Sequence, residues 1–471
     1  MTFVATAGVG ALVVVVAFGP RSSVPPSGPS TSRPTLSSTP TVGPTVNAAG
    51  LHGHGQLAFV SRGELYVLDG TTKALHQVTE GSPLPSSPAF SHDGKWLAFV
   101  RATTGSEQGE ATLWIAHGDG TDAHRVAQVP AAYPAPNSGS PLFSWNPSSD
   151  ELLVTTGPVT GTPLVPREIW IVPASGSAHR LLGPGYTTGA VWSPDGSEVA
   201  VLWSSNGLST QVLETLPPSG GTPTVWLPVN SNTYYLAGWS SRFGILVWYD
   251  QGNGGPSVEN YGLPLGAFSQ PGATLTVLAT TPLFQPPALA IGPQGQLDVV
   301  ANGNDNDGGG EGEKFVWFGK TVETCSPVSD KCSAAIEQTS SVTLDPAVST
   351  VDGSLAFVEA PQSTEGLPPD YSPTSTWSQI SGWYAAHTLW IAPGGTGRPR
   401  EVPGTTGASD PVWSSLGPGL VYAANGELWY LPSSNAQPVE VASPLASPTG
   451  STSGKYLFGY ADWSGEFAWT G

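Results

Sequence analysis

Basic residues are scarce in this chain. Only 16 Lys and Arg stand among 471 positions, against 35 Asp and Glu, giving a formal net charge of −19. Binding to nucleic acid draws on clustered cations that neutralise phosphates, so that class of partner is excluded. Direct adsorption to an anionic lipid surface is disfavoured for the same reason. Strong helix formation is lacking too: 59 Gly and 47 Pro interrupt the chain, and these are the two poorest helix formers. Disorder, the other outcome of such a composition, is opposed by 17 Trp, 13 Tyr and 14 Phe, which bring large apolar areas that need burial. Catalytic signatures are missing as well. The nearest approach to a Gly-x-Ser-x-Gly elbow is Gly450–Gly454, with Thr452 at the nucleophile position. None of the eight histidines forms His-Glu-x-x-His.

There are two cysteines, Cys325 and Cys332, separated by Ser-Pro-Val-Ser-Asp-Lys. With no second Cys or His pair beside them, a zinc site is disfavoured. The spacing predicts a small disulfide loop, which suits an oxidising compartment.

One long apolar run occurs, from Phe3 to Phe18. As a helix it spans about 24 Å, near the thickness of a bilayer's hydrocarbon core. No basic segment precedes it and no clear cleavage site follows, so residues 1–19 are read as a single membrane anchor, with a signal segment of a secreted protein as the alternative. Residues 20–50 are rich in Pro, Ser and Thr. They are expected to form a disordered, extended linker.

A repeat begins near residue 51. Its first phrase is a Ser-Pro-Asp-Gly turn followed by a short apolar strand, as in Phe90-Ser-His-Asp-Gly-Lys-Trp-Leu-Ala-Phe-Val100 and Trp192-Ser-Pro-Asp-Gly-Ser-Glu-Val-Ala-Val-Leu202. Variants occur at 143–154, 238–247, 290–300, 351–358, 412–422 and 462–469. The second phrase is an alternating strand: Glu64-Leu-Tyr-Val-Leu-Asp69, Thr112-Leu-Trp-Ile-Ala-His117, Glu168-Ile-Trp-Ile-Val-Pro173, Thr388-Leu-Trp-Ile-Ala-Pro393 and Glu427-Leu-Trp-Tyr-Leu-Pro432. Pro fixes φ, Asp accepts local amides and Gly tolerates positive φ, so the first phrase makes a tight hairpin turn. One four-stranded unit cannot bury both its faces, and a ring of such units can.

These phrases resemble the PD40 repeats of TolB-like β-propellers, across nearly all of residues 55–471. The resemblance implies an all-β fold: one propeller of four-stranded blades over 51–471. The phrase count gives eight blades, with seven as the alternative. Residues 57–82 look like a blade without its innermost strand, which the stretch Tyr460–Trp469 is placed to supply.

Few residues point to chemistry. Asn302, Asn304, Asp305, Asp307 and Glu313 could offer oxygens to Ca²⁺, but Asp307 stands where a calcium loop of the EF-hand kind needs Gly. A solvated loop is the competing reading, and no other cofactor is expected. His52 and His54 lack a third ligand nearby, and His124 and His179 occupy the same place in two repeats. The insert 361–386 carries Tyr371, Trp377, Trp383 and Tyr384. Exposed aromatics suit a partner-binding surface, and the alternative is that they fold back over the propeller. The expectation is a non-enzymatic scaffold, tethered to the cytoplasmic membrane by its N-terminal helix with the propeller outside. It would bind a protein or peptide partner in the cell envelope. The alternatives are the sensor domain of a transmembrane regulator, or a propeller-fold lyase or hydrolase, which would need carboxylates converging on the inner strands.

Overall fold

The computed structural model describes residues 43–471 apart from 82, 103–110, 130–142, 157–165, 206–209, 231–233, 250–264, 280–288, 293, 302–320, 327–330, 338–340, 362–381, 396, 418, 446–462 and 464. The expected anchor at 1–19 lies outside the described residues. Among the described residues no helix is long and apolar enough to cross a membrane.

The described strands fall into eight antiparallel groups of four that follow chain order. The first contains Gln56–Ser61, Glu64–Asp69 and Leu75–Gln77. Its innermost strand comes from the far end of the chain, Phe467–Thr470, with Ala468 opposite Ala58. The second group contains Leu84–Phe90, Trp96–Ala102, Ala111–His117 and His124–Arg125. The long strand His179–Trp192 ends the third group and begins the fourth. The eighth group, Ala408–Trp413 to Val439–Ser443, gains a fifth, outer strand from Thr45–Val46.

The Ser-Pro-Asp-Gly chemistry appears in the turns as expected. In the second group Ser91 Oγ donates to Asp93 Oδ1 (2.9 Å), and the amides of Lys95 and Trp96 donate to Asp93 Oδ1 and Ser91 Oγ (3.1 Å each). The fourth group repeats the network through Ser193, Asp195, Ser197 and Glu198 at 2.7–3.0 Å. Gly94 and Gly196 sit at φ of +73° and +74°, a conformation Gly adopts without steric cost.

Apolar burial lies between neighbouring groups. Ala58 and Val60 of the first pack with Leu97 and Phe99 of the second. Ala98 and Val100 pack with Leu152 and Val154 of the third. Leu153 and Ile171 pack with Val199 and Val201 of the fourth. Comparable clusters join the fourth to the fifth, the fifth to the sixth, the seventh to the eighth, and the eighth back to the first. Sheets joined in this way hide their faces against one another, which is the arrangement of a β-propeller with four-stranded groups as blades.

Three tryptophans tie blades together in one repeated way. Trp145 Nε1 donates to the Ala89 carbonyl (2.9 Å), Trp192 Nε1 to Ser144 (3.1 Å) and Trp413 Nε1 to Ala347 (2.9 Å). Each acceptor lies on the innermost strand of the preceding blade.

The folded unit starts at Gly43, earlier than the boundary expected at residue 51. Val46 packs into the cluster between the last and first blades, and Asn47 caps the 3₁₀ turn Ala48–Leu51, whose Leu51 is fully buried. The end of the expected linker is thus part of the propeller.

Candidate functional site

Two places depart from the repeat in ways that packing alone does not require. The first is on the turn-bearing rim between the second and third blades. There His92 replaces the Pro of the Ser-Pro-Asp-Gly phrase. In the third blade Asn146 replaces its Ser: Asn146 Oδ1 accepts the amides of Ser148 (2.8 Å) and Ser149 (3.1 Å). That turn ends on Asp150. Blade packing brings ligand atoms of His92, Asp93 and Asp150 within 4.8 Å of one another. Asp150 Oδ2 accepts from Trp96 Nε1 at 3.3 Å, whereas Oδ1 is shielded from solvent and has no hydrogen-bond partner. Asp93 is ion-paired with Lys95. Burial raises its pKa, but hydrogen bonds from Lys95 and Ser91 outweigh that and lower it to about 2.

An open cleft of about 610 Å³ adjoins this cluster, lined by Gln56, Asp93–Trp96 and His117–Asp119. The Trp96 and His117 rings meet at 5.0 Å, tilted.

The second place is Asp298, on the second strand of the sixth blade, Leu297–Ala301. At the matching place the other described blades carry Ala58, Ala98, Leu153, Ala200, Leu246, Ala356 and Val421, all buried and apolar. Asp298 is equally buried, at 1% exposure. Its Oδ1 accepts from Thr324 Oγ1 (2.6 Å), and Oδ2 has no partner. Burial pushes the carboxyl pKa up, against the opposing effect of the Thr324 hydroxyl. Sequence reading missed this residue. The signal was available: Leu-Asp-Val at 297–299 stands where other copies read Leu-Ala-Phe or Val-Ala-Val.

Two further acids lie on innermost strands. Asp345 and Asp410 occupy the bulges of the seventh and eighth blades, each at positive φ before a proline. The Asp410 amide donates to Asp345 Oδ2 (3.0 Å), and the Trp463 amide donates to Asp410 Oδ2 (2.8 Å). The two carboxylates therefore clasp successive blades.

The sequence-predicted residues are distributed as follows. Cys325 and Cys332 are disulfide-bonded directly across the pair Thr321–Ser326 and Lys331–Glu337. Asn302, Asn304, Asp305, Asp307 and Glu313 lie outside the described residues, as do Tyr371 and Trp377. Tyr384 is not a surface aromatic: it is 2% exposed and packs with the buried His387, ring to ring at 4.6 Å. Fold-back is the outcome for this residue, because its ring covers an imidazole that is itself fully buried. Trp383 is half-buried over the same imidazole at 4.3 Å, with its indole donating to the Pro361 carbonyl. His52 packs against Tyr430, and His124 and His179 each face a backbone carbonyl at 2.9 Å.

No protein-family model matches the chain, and no curated protein matches it. Among solved structures it is similar to TolB from Acinetobacter baumannii (16% identity, 59% of this chain and 62% of that one, TM-score 0.34). It is also similar to the tricorn protease (12% identity, 83% and 39%, TM-score 0.44). A third is the β-propeller domain of the Trilobed protease from Pyrococcus furiosus (11% identity, 74% and 93%, TM-score 0.40). The chain thus spans less than two thirds of the first two. The propeller assignment rests on strand order and blade packing, not on these likenesses.

Proposed function

We propose that the chain is an eight-bladed, TolB-like propeller, tethered outside the cytoplasmic membrane, that serves as a non-enzymatic scaffold for a protein or peptide partner in the cell envelope. The observation that carries the non-enzymatic reading is the use made of Asp345 and Asp410. A hydrolase or lyase working in the funnel needs inner-strand carboxylates free to transfer protons, and these two accept amide hydrogens that hold the blades. The Cys325–Cys332 bond supports an oxidising, extracytoplasmic setting. The apolar run Phe3–Phe18 supports the tether. Within the 361–386 insert the partner-facing candidates are Tyr371, Trp377 and Trp383, with Tyr384 withdrawn into the core.

The test is a pull-down from solubilised envelope with the full chain and with Trp377→Ala. The expected result is one enriched protein whose recovery falls several-fold with the variant while the melting temperature stays unchanged. Recovery of no protein, together with tight binding of a small glycan or metabolite, contradicts the scaffold reading.

A further inference from the structure

We propose that the rim between the second and third blades binds one divalent transition-metal ion through His92, Asp93 and Asp150. Three observations converge on it. The donor atoms lie within 4.8 Å of one another although they belong to two different hairpin turns. Asp150 Oδ1 is shielded from water and has no hydrogen-bond partner; a buried acceptor left in that state is costly unless something pairs with it. Both turns depart from the repeat at the residues concerned. In the fourth blade the same turn carries Pro194 where the second has His92, and Ser197 where the third has Asp150. The regular turn closes through Ser193, Asp195 and Ser197, whose hydroxyl donates to Asp195 Oδ1. An imidazole at the Pro194 position adds nothing to that network and a carboxylate at the Ser197 position cannot make its donation, so hairpin closure explains neither His92 nor Asp150.

The donor set selects the ion. Ca²⁺ and Mg²⁺ prefer oxygen ligands throughout, whereas an imidazole beside two carboxylates suits Zn²⁺ and its transition-metal neighbours. Lys95 is the built-in competitor, because its ammonium holds Asp93. Its side chain is largely exposed, so it can swing into solvent when a metal replaces it. Three protein ligands leave coordination positions open, and the adjoining cleft gives access to them.

The test is calorimetric titration of the chelator-treated full chain with Zn²⁺. The expected result is one ion per chain, not displaced by millimolar Ca²⁺. Binding should weaken by about tenfold or more in His92→Ala and in Asp150→Asn, and strengthen in Lys95→Ala. Asp150→Asn keeps an oxygen for the Trp96 indole, so loss of binding there with an unchanged melting temperature reports the metal and not the fold. A His52→Ala, His54→Ala double variant should bind as the parent does. Absence of stoichiometric binding at about 100 μM Zn²⁺, a concentration that detects sites far weaker than structural zinc, overturns the proposal. So does binding that survives both His92→Ala and Asp150→Asn.

Discussion

Three of the joints between consecutive blades and the joint that closes the ring are built differently. At the joints of blades two and three, three and four, and seven and eight, a Trp indole donates to the inner strand of the preceding blade. At the closing joint the matching residue is Trp469, paired opposite Leu57 as Trp192 is opposite Val199. Its Nε1 has no acceptor, and its ring tilts onto Tyr430 at 5.5 Å. This joint is held by long-range chain pairing instead. Phe467–Thr470 completes the first blade, Thr45–Val46 extends the last, and the Trp463 amide reaches Asp410. At those three consecutive joints one repeated side-chain bond spans the blades. Where Gln56–Phe59 meets Phe467–Thr470, backbone pairing does the closing.

The largest expected effect breaks the closing joint. Deleting residues 467–471 removes buried Phe467 and Trp469 and leaves Gln56–Phe59 as an unpaired inner edge. Losses on the scale of about 3–5 kcal/mol for each large aromatic are expected, read as a collapse of the denaturation midpoint and a tendency to associate through the bare edge. Next in size is a gain. Asp298→Ala restores the residue type found in four other blades and should stabilise the protein by about 1 kcal/mol at neutral pH, by removing a carboxyl that is buried with one oxygen unpaired. A melting temperature that falls would show that Asp298 is held by something other than Thr324. A smaller effect separates the joints themselves. Trp145→Phe and Trp413→Phe leave a carbonyl without its donor and should cost about 0.5–1.5 kcal/mol beyond the change in apolar area. Trp469→Phe should show no such extra cost, because its indole has no bond to lose.

The smallest effect is a pH dependence of opposite sign at two aspartates. Hydrogen bonds from Ser193 and Ser197 lower Asp195 from 3.8 to about 2. Its contribution is therefore present above pH 3.8 and lost as pH falls toward 2. Asp298 is raised above 3.8 by burial. Its contribution is full below 3.8 and lost as pH rises through the raised value. Denaturation midpoints of Asp298→Ala and the parent should therefore diverge as pH climbs from 3 to 7, whereas Asp195→Ala and the parent should diverge from about 2 upward.

Much of the fold was legible because the turn chemistry is local. Ser91, Asp93 and Gly94 make their hairpin from neighbouring residues, so the phrase marks the turn wherever it stands. Closure was legible for a subtler reason: Gln56–Gln77 offers three strands without a fourth, and the C-terminal Ala468-Trp469 repeats the end of an inner strand. The sites were less legible because they depend on residues that meet only after blades pack. His92 and Asp150 lie in separate repeats, and no pattern along the chain joins them. Thr45–Val46 becomes a strand only because Val439–Ser443 offers an edge, which the Pro-rich surroundings conceal. Tyr384 reads as a loop aromatic, and its burial follows from the imidazole beside it. Asp298 was readable in principle, since aligning the copies exposes a charge where the others carry an apolar residue.

Ring closure by Phe467–Thr470 is tested most directly by hydrogen exchange in the intact chain. Amides of this strand and of its partner Gln56–Phe59 should exchange together, as slowly as those of Val199–Ser204 in the fourth blade, and only through global unfolding. Exchange of Phe467–Thr470 within seconds, while the fourth blade stays protected, would contradict a closed ring.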